Sequence, residues 1–215
     1  MTTPEDLLRF WFGDSVTGEA LLDAHVRRWF ARDASFDHLV RDRFTQDIER
    51  ASRGDLDAWK GSARGRLALI ILLDQLPRNA FRDSAEAYAF DRYAVELCLE
   101  GLAIGADLQL LPIERQFFYL PLLHSERRSY QQLSVRCFER LLTQSPAAQA
   151  AHFAAWVRVA RRSCRIVEWF GRFPHRNPVL GRKPKPAERA FLAGTALFNP
   201  AAKAFSRWRM RRPGS

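Results

Sequence analysis

The amino-acid sequence predicts an all-α protein made of stacked antiparallel helical hairpins, tetratricopeptide-like, that close into one globular domain. Apolar side chains recur at three- and four-residue steps along much of the chain, which is typical of helices with one buried face. No convincing alternation of apolar and polar residues occurs between turns, so we expect essentially no β-sheet. Apolar residues make up 47% and charged residues 27% of the 215 positions, a balance that favours a globular protein over disorder.

Helix breakers and caps divide the chain into eight or nine predicted helices. These cover residues 4–12, 19–30, 36–52, 62–76, 84–104, 112–120, 126–143, 147–170 and 187–193. Pro77 is expected to stop the helix that contains Leu67, and Ser84 to cap the next one. Gly105 and Gly171 are expected to end two later helices. The segments 62–76 with 84–104, and 112–120 with 126–143, are predicted hairpins, although no strict repeat of roughly 34 residues is visible.

The basic charge of the chain is concentrated at its C-terminal end. The formal net charge is +10, and half of it comes from five basic residues in the last part of the sequence: Lys203, Arg207, Arg209, Arg211 and Arg212. We therefore predict a single domain over residues 1–200 and a basic tail over 201–215. The mildly basic body favours anionic ligands without requiring nucleic acid, whereas the tail is a candidate for contact with RNA or an anionic membrane surface.

The remaining composition indicates a cytoplasmic protein. Cys98, Cys137 and Cys164 are far apart in apolar helical patterns, so we expect buried, reduced thiols. The first residues carry acids where a signal peptide needs bases. The longest apolar run, Leu67 to Leu73, is too short for a membrane span of roughly 20 residues.

The first segment with candidate functional residues is Asp74-Gln-Leu-Pro-Arg-Asn79, directly after a buried helix. An acid at a helix C-terminus opposes the helix dipole, so Asp74 needs a compensating partner, and Arg78 is the nearest. Asp74, Arg78 and Asn79 are candidate ligand-binding residues. The alternative is a structural corner that Asp74 and Arg78 tie down.

The second segment runs from Arg115 through Tyr119, Pro121 and His124 to Glu126. Pro121 is expected to interrupt the helix, and a His124–Glu126 pair across the bend would make a general acid or base. Arg115 and Tyr119 are candidate ligand-binding residues. The alternative is that Ser125 caps a helix with Glu126 in its first turn and that His124 is an interior histidine.

The third segment, Phe170 to Arg182, holds three arginines and a histidine between glycines and prolines. Arginine binds carboxylate and phosphate groups through two parallel hydrogen bonds, and a proline-stiffened backbone would hold it in place. Arg172, Arg176 and Asn177 are candidate ligand-binding residues, and His175 is a candidate second proton carrier. The alternative is a surface loop whose arginines pair with acids of the same protein.

The spacing of His and acidic residues does not suggest a metal site, and no nucleotide-binding or nucleophile motif is present. We therefore predict no cofactor and no metal.

Four stretches resemble one bacterial family, catalogued as domain of unknown function 924. They are Leu8 to Gly13, Leu69 to Arg82 with its Asp-Gln-x-Pro-Arg-Asn core, Arg115 to Glu126, and Phe170 to Arg182. The resemblance extends to about Leu192. It implies an all-helical, tetratricopeptide-like fold and no particular activity.

Three functions remain open on the sequence alone. The leading hypothesis is a binding module that holds a small anion, either a carboxylate, a phosphate or a peptide end, in an arginine- and histidine-lined pocket. It would fail if the arginines were buried in pairs with the protein's own acids. The second is an enzyme that uses His124, Glu126 and His175 for acid–base chemistry on an anionic substrate. The third is association with RNA or a membrane surface through the tail. The sequence makes no prediction of the oligomeric state.

Overall fold

The structure, a computed structural model, describes residues 2–13 and 29–194. Within these ranges the chain forms helices and turns and no β-strand, which confirms the all-α prediction for the described part. The described residues form two compact units, of which the first ends at Ser125 and the second begins at Glu126. No helix in the described ranges is long and apolar enough to cross a membrane.

The helices lie close to their predicted positions. They are α1 (Pro4–Phe12), α2 (Ala34–Ser52), α3 (Ala63–Ile70), α4 (Leu76–Ala80), α5 (Asp91–Ala103), α6 (Pro112–His124), α7 (Arg128–Gln144), α8 (Ala150–Phe170) and α9 (Pro186–Gly194). Shorter 3-10 turns lie at Asp57–Gly61, Ala85–Tyr88, Ala106–Gln109, Ala147–Gln149 and Pro174–Arg176. The predicted helix 19–30 falls mostly outside the described residues, and the basic tail does so entirely. The tetratricopeptide-like stacking and the single domain over 1–200 stay predictions.

Helix α1 begins with a reciprocal cap. The Thr3 hydroxyl accepts a hydrogen bond from the Asp6 N–H at 3.2 Å, and the Asp6 carboxylate accepts one from the Thr3 N–H at 3.1 Å. Pro4 at the first helical position needs no hydrogen-bond acceptor there. The helix packs against α3, and its Leu7 and Trp11 side chains are buried.

The core of the first unit is rich in aromatic rings, and Phe117 of α6 is at its centre. The ring centroids of Trp29 and Phe117 are 4.7 Å apart, and those of Phe12 and Phe117 are 5.3 Å apart, both edge to face. Trp11 also meets Phe117 edge to face, at 5.7 Å. Such geometry stabilises aromatic pairs beyond the area that they bury. The core keeps α6, and therefore its last residue, in a fixed place.

Pro77 does not stop the helix that contains Leu67, so that prediction was wrong. Helix α3 continues through a π-helical turn, Ile71–Gln75, into α4. The Leu76 N–H donates to the carbonyl of Ile71, five residues earlier, which widens the backbone just before the proline. A proline ring clashes with the carbonyl four residues before it in a regular α-helix, and the wider turn accommodates the ring.

Pro121 does not interrupt its helix either. Helix α6 contains Pro121 and ends three residues later, at His124. Proline removes one hydrogen bond from the helix. The neighbouring side chains Leu120 and Leu122 are almost fully buried, and their packing stabilises the helix at this point. Ser125 follows α6 rather than capping a new helix, and α7 begins at Arg128, so Glu126 is not in a first helical turn.

Several predicted caps are confirmed. Ser84 accepts a hydrogen bond from the Glu86 N–H, although it caps the 3-10 turn Ala85–Tyr88, and α5 begins only at Asp91. Gly105 follows α5 with φ 68°, and Gly171 ends α8 with φ 70°, a conformation that favours glycine. In the second unit α7 and α8 pack against each other along their lengths. The three cysteines are buried and form no disulfide within the described residues, as predicted.

Candidate functional site

The π turn places two polar side chains in the core of the first unit. Asp74 is 0% exposed and Gln75 is 5% exposed. Asp74 therefore lies inside a continuous helical segment, not at a helix C-terminus as the sequence suggested. π turns are rare, but those that occur are frequently found at functional sites. The extra residue turns side chains out of the regular helical register.

His124 is the partner of this buried carboxylate. Its Nδ1 lies 2.8 Å from Asp74 Oδ1 and 3.0 Å from Asp74 Oδ2. The sequence paired His124 with Glu126 instead. His124 ends the last helix of the first unit, whereas Glu126 begins the second unit and binds an arginine there.

Arg78 is a second neighbour of the Asp74 carboxylate. Its Nη1 lies 3.3 Å from Asp74 Oδ1, and its Nη2 lies 2.8 Å from Asp91 Oδ1. Nη1 also donates to the backbone carbonyl of Asp74, and the guanidinium carbon lies 5.5 Å from the centre of the Tyr88 ring. One arginine thus connects the π turn, the 3-10 turn and the first residue of α5.

The charges in this cluster fix the protonation of both partners. Burial alone would raise the pKa of the Asp74 carboxyl, but Arg78, His124 and Gln75 stabilise the carboxylate and lower its pKa to about 2. Burial lowers the pKa of the His124 imidazole, Arg78 lowers it further, and Asp74 opposes them only in part. Asp74 is therefore ionised and His124 uncharged at neutral pH.

This arrangement determines which nitrogen of His124 carries the proton. An ionised carboxylate only accepts hydrogen bonds, so Nδ1–H donates to Asp74 and the lone pair is on Nε2. Within the described ranges, the hydrogen bonds of His124 run only from Nδ1 to Asp74. The side chain keeps 19% of its surface exposed. Nε2 is thus the atom through which the imidazole can take a proton from a bound molecule.

Glu126 belongs to a separate ion pair in the second unit. Arg182 donates from Nη1 to Glu126 Oε2 at 2.7 Å and from Nη2 to Oε1 at 3.0 Å. The backbone N–H of Phe173 donates to Oε1 at 2.7 Å. Burial raises the pKa of Glu126, but these donors outweigh it and lower the pKa overall. An ionised carboxylate that accepts these hydrogen bonds fixes the chain after α8, and the predicted catalytic role of Glu126 stays a prediction.

Arg172 and Asn177 converge on Glu188 of α9. Arg172 donates from Nε to Oε1 at 2.7 Å and from Nη2 to Oε2 at 2.9 Å. Asn177 donates to Oε2 at 3.0 Å, as does the backbone N–H of Lys185 at 2.7 Å. The Arg172 hydrogen bonds are the main cause that lowers the pKa of Glu188 to about 2. These hydrogen bonds to Glu188 therefore hold the loop between α8 and α9 in place.

The other two residues of the loop pack beside Phe173. The guanidinium carbon of Arg176 lies 4.7 Å from the centre of the Phe173 ring, a cation–π contact. The His175 ring lies 5.5 Å from the same ring. His175 belongs to the second unit, whereas His124 belongs to the first.

The remaining predicted ligand-binding residues lie in buried polar clusters of the first unit. Arg115 Nε donates to the Tyr119 hydroxyl at 3.2 Å, and that hydroxyl donates to the carboxylate of Asp107. Asn79 donates to Asp37 Oδ1 at 2.9 Å. Each of these polar groups satisfies another group of the same unit, which is what burial requires.

Sequence reasoning selected Asp74, Arg78 and His124 but missed two acids that matter. Asp91 and Glu188 stand at the start of helices, where acids are common for electrostatic reasons alone. No local signal distinguishes them, because their arginine partners are more than a helical turn away in the sequence. In the described part of the chain, no group of three or more His, Cys, Asp or Glu side chains is arranged to hold a metal ion.

Comparison with known proteins agrees with the resemblance noted in the sequence. Residues 7–196 match the model of a family described as bacterial protein of unknown function, DUF924. A solved structure of a protein of unknown function from Agrobacterium tumefaciens is 36% identical, with a TM-score of 0.69, and the match covers 81% of this chain and 98% of that one. No curated protein matches the chain. The predicted family is thus confirmed, and the chain belongs to the bacterial family of unknown function DUF924.

Proposed function

We propose that this protein is an enzyme and that His124 is its general base and acid. The observation that carries the proposal is the contact of 2.8 Å between His124 Nδ1 and a carboxylate, Asp74, that is fully buried in a π turn. A carboxylate on one ring nitrogen orients the imidazole, fixes its tautomer and stabilises the cation that forms when the other nitrogen takes a proton.

The charge of the cluster bears on the substrate. Two carboxylates, Asp74 and Asp91, surround one guanidinium, that of Arg78, and His124 is uncharged. Together these groups carry a net negative charge, which disfavours an anion next to Nε2. We therefore propose a neutral or cationic substrate that offers an O–H, N–H or acidic C–H proton, instead of the anionic substrate suggested by the sequence.

Binding of a small anion, the leading hypothesis from the sequence, has less support. Arg78 and Arg172 are each paired with acids of this protein, and Arg115 lies 4.0 Å from Asp107. An anion would have to displace those carboxylates and leave them buried without a partner, which costs several kcal/mol per ion. Association through the basic tail concerns residues that lie outside the described ranges and stays a prediction.

The test compares the wild-type protein with His124→Gln on a mixture of small metabolites followed by mass spectrometry. General acid–base catalysis contributes about 10²- to 10⁴-fold, so a true substrate should be consumed by the wild type and be nearly untouched by the variant. His38→Gln, on the exposed face of α2, is the matched control and should behave as wild type. Equal consumption by all three folded proteins would overturn the proposal.

A further inference from the structure

We infer that Arg78 and Asp91 are positioning residues for His124: Asp91 anchors Arg78, and Arg78 fixes the Asp74 carboxylate that orients the imidazole. This inference rests on the proposed function of the His124 site. It assigns a role to Asp91, whose carboxylate lies 2.8 Å from Arg78 Nη2.

The first step is geometric. Arg78 uses different nitrogens for its two acids, Nη1 for Asp74 at 3.3 Å and Nη2 for Asp91 at 2.8 Å. Two acids at different nitrogens of a planar guanidinium restrict its rotation more than a single contact would. Asp74 Oδ1 therefore has two neighbours, Arg78 Nη1 at 3.3 Å and His124 Nδ1 at 2.8 Å.

The second step is burial. The side chains of Arg78 and Asp91 are 19% and 20% exposed, and that of Asp74 is 0% exposed. Water screens charges poorly in such a place, so the contacts are stronger than similar pairs at the surface. Nη1 of Arg78 also reaches the Ala87 carbonyl at 3.5 Å, and its guanidinium lies over Tyr88, so the turn before α5 shares in the anchoring.

The third step is the effect on the base. The ionisable groups that face His124 are Asp74 from the π turn, Arg78 from α4 and Asp91 from α5. Arg78 disfavours the imidazolium form, whereas both acids favour it. Burial, and after it the Arg78 guanidinium, thus lowers the pKa of His124 and keeps the imidazole a proton acceptor beside a carboxylate that favours its charged form.

The experiment follows the His124 ring by nuclear magnetic resonance, which needs no substrate. In Arg78→Gln the midpoint of the His124 titration should rise by about one pH unit or more, because a nearby positive charge has been removed. Arg78→Lys should restore the midpoint, since the charge returns, but the Nδ1 proton of His124 should exchange with water faster than in wild type, since lysine cannot bridge the two acids. Arg82→Gln removes a comparable arginine that pairs with Asp37 and should leave both readouts unchanged.

Asp91→Asn provides a milder variant in case Arg78→Gln does not fold. The Nδ1 proton of His124 should exchange with water at least about tenfold faster than in wild type, because a looser Asp74 protects it less. Asp83→Asn, at an exposed pair, should leave the rate unchanged. An unchanged titration in Arg78→Gln, or unchanged exchange in Asp91→Asn, would overturn the inference. These readouts are independent of the metabolite screen. If His124→Gln abolished catalysis while Arg78→Gln left the His124 titration unchanged, the proposed function would be supported and this inference would be wrong.

Discussion

The Nδ1 atom of His124 lies within 3.0 Å of both carboxylate oxygens of Asp74, although 50 residues separate the two in the sequence. Replacing Asp74 by Asn keeps the size of the side chain and removes its charge. Arg78 then loses one of its two buried partners, so the free energy of unfolding should fall by about 3 kcal/mol. Chemical denaturation at neutral pH measures this change.

Asp83→Asn is the control for that substitution. Asp83 pairs with Arg32, and their side chains are 74% and 67% exposed. Exposed ion pairs contribute about 0–1 kcal/mol, so this variant should be nearly as stable as wild type. If both substitutions lowered the free energy of unfolding by similar amounts, the buried ion pair of Asp74 would contribute no more to stability than an exposed one.

Glu188→Gln should destabilise the second unit in a pH-dependent way. The pKa of Glu188 in the folded protein is about 2, below its ordinary value of 4.5, chiefly because of the Arg172 hydrogen bonds. A carboxyl with a lowered pKa stabilises the folded state above its ordinary pKa and loses that effect as the pH falls towards the folded value. The difference in the free energy of unfolding between wild type and Glu188→Gln should therefore be largest at neutral pH. It should decrease as the pH falls from about 4.5 to about 2.

Urea denaturation at a series of pH values tests this expectation. Glu139→Gln serves as the comparison, because Glu139 pairs with Arg161 on the surface, with side chains 40% and 61% exposed. Glu139→Gln should lower the free energy of unfolding less than Glu188→Gln does at neutral pH. A difference for Glu188→Gln that stays constant down to about pH 2 would rule out ionisation as its cause.

Gly101→Ala should destabilise the first unit. A Cβ at this position of α5 would overlap the Phe118 ring and lie 2.6 Å from the Arg66 Cδ, and Phe118 is fully buried. Overpacking of this kind costs about 1–3 kcal/mol. Gly61→Ala is the matched control, because a Cβ there meets nothing within 4 Å. Differential scanning calorimetry should show a lower Tm for the first variant alone.

The pH dependence of catalysis should reflect an unusually acidic imidazole. Burial and Arg78 hold the pKa of His124 below its ordinary value of 6.5. A base works only when deprotonated, so kcat/KM for a substrate found in the metabolite screen should fall on the acid side, with a midpoint below that value. A midpoint above 6.5 would show that the Asp74 charge dominates instead.

The sequence predicted the helices well because apolar periodicity and capping residues act locally. It selected Asp74, Arg78 and His124 because polar side chains within apolar helices need a compensating interaction. It mispaired His124 because the true partner is set by tertiary packing and not by sequence distance. The role of Asp91 was missed for the same reason, and the continuation through Pro77 was missed because a π turn has no simple sequence signal.

The π turn at Ile71–Gln75 also bears on how such a site could arise. A π turn contains one residue more than an α turn, and each residue of an α-helix advances the direction of the side chain by about 100°. Deleting one residue from this segment would restore an ordinary α turn and return its side chains to the regular helical register, while α4 keeps its orientation because the π turn had absorbed the extra residue. One residue thus separates a plain buried helix from one that turns Asp74 towards His124, and we expect a single-codon deletion there to abolish this contact while the helices on either side remain.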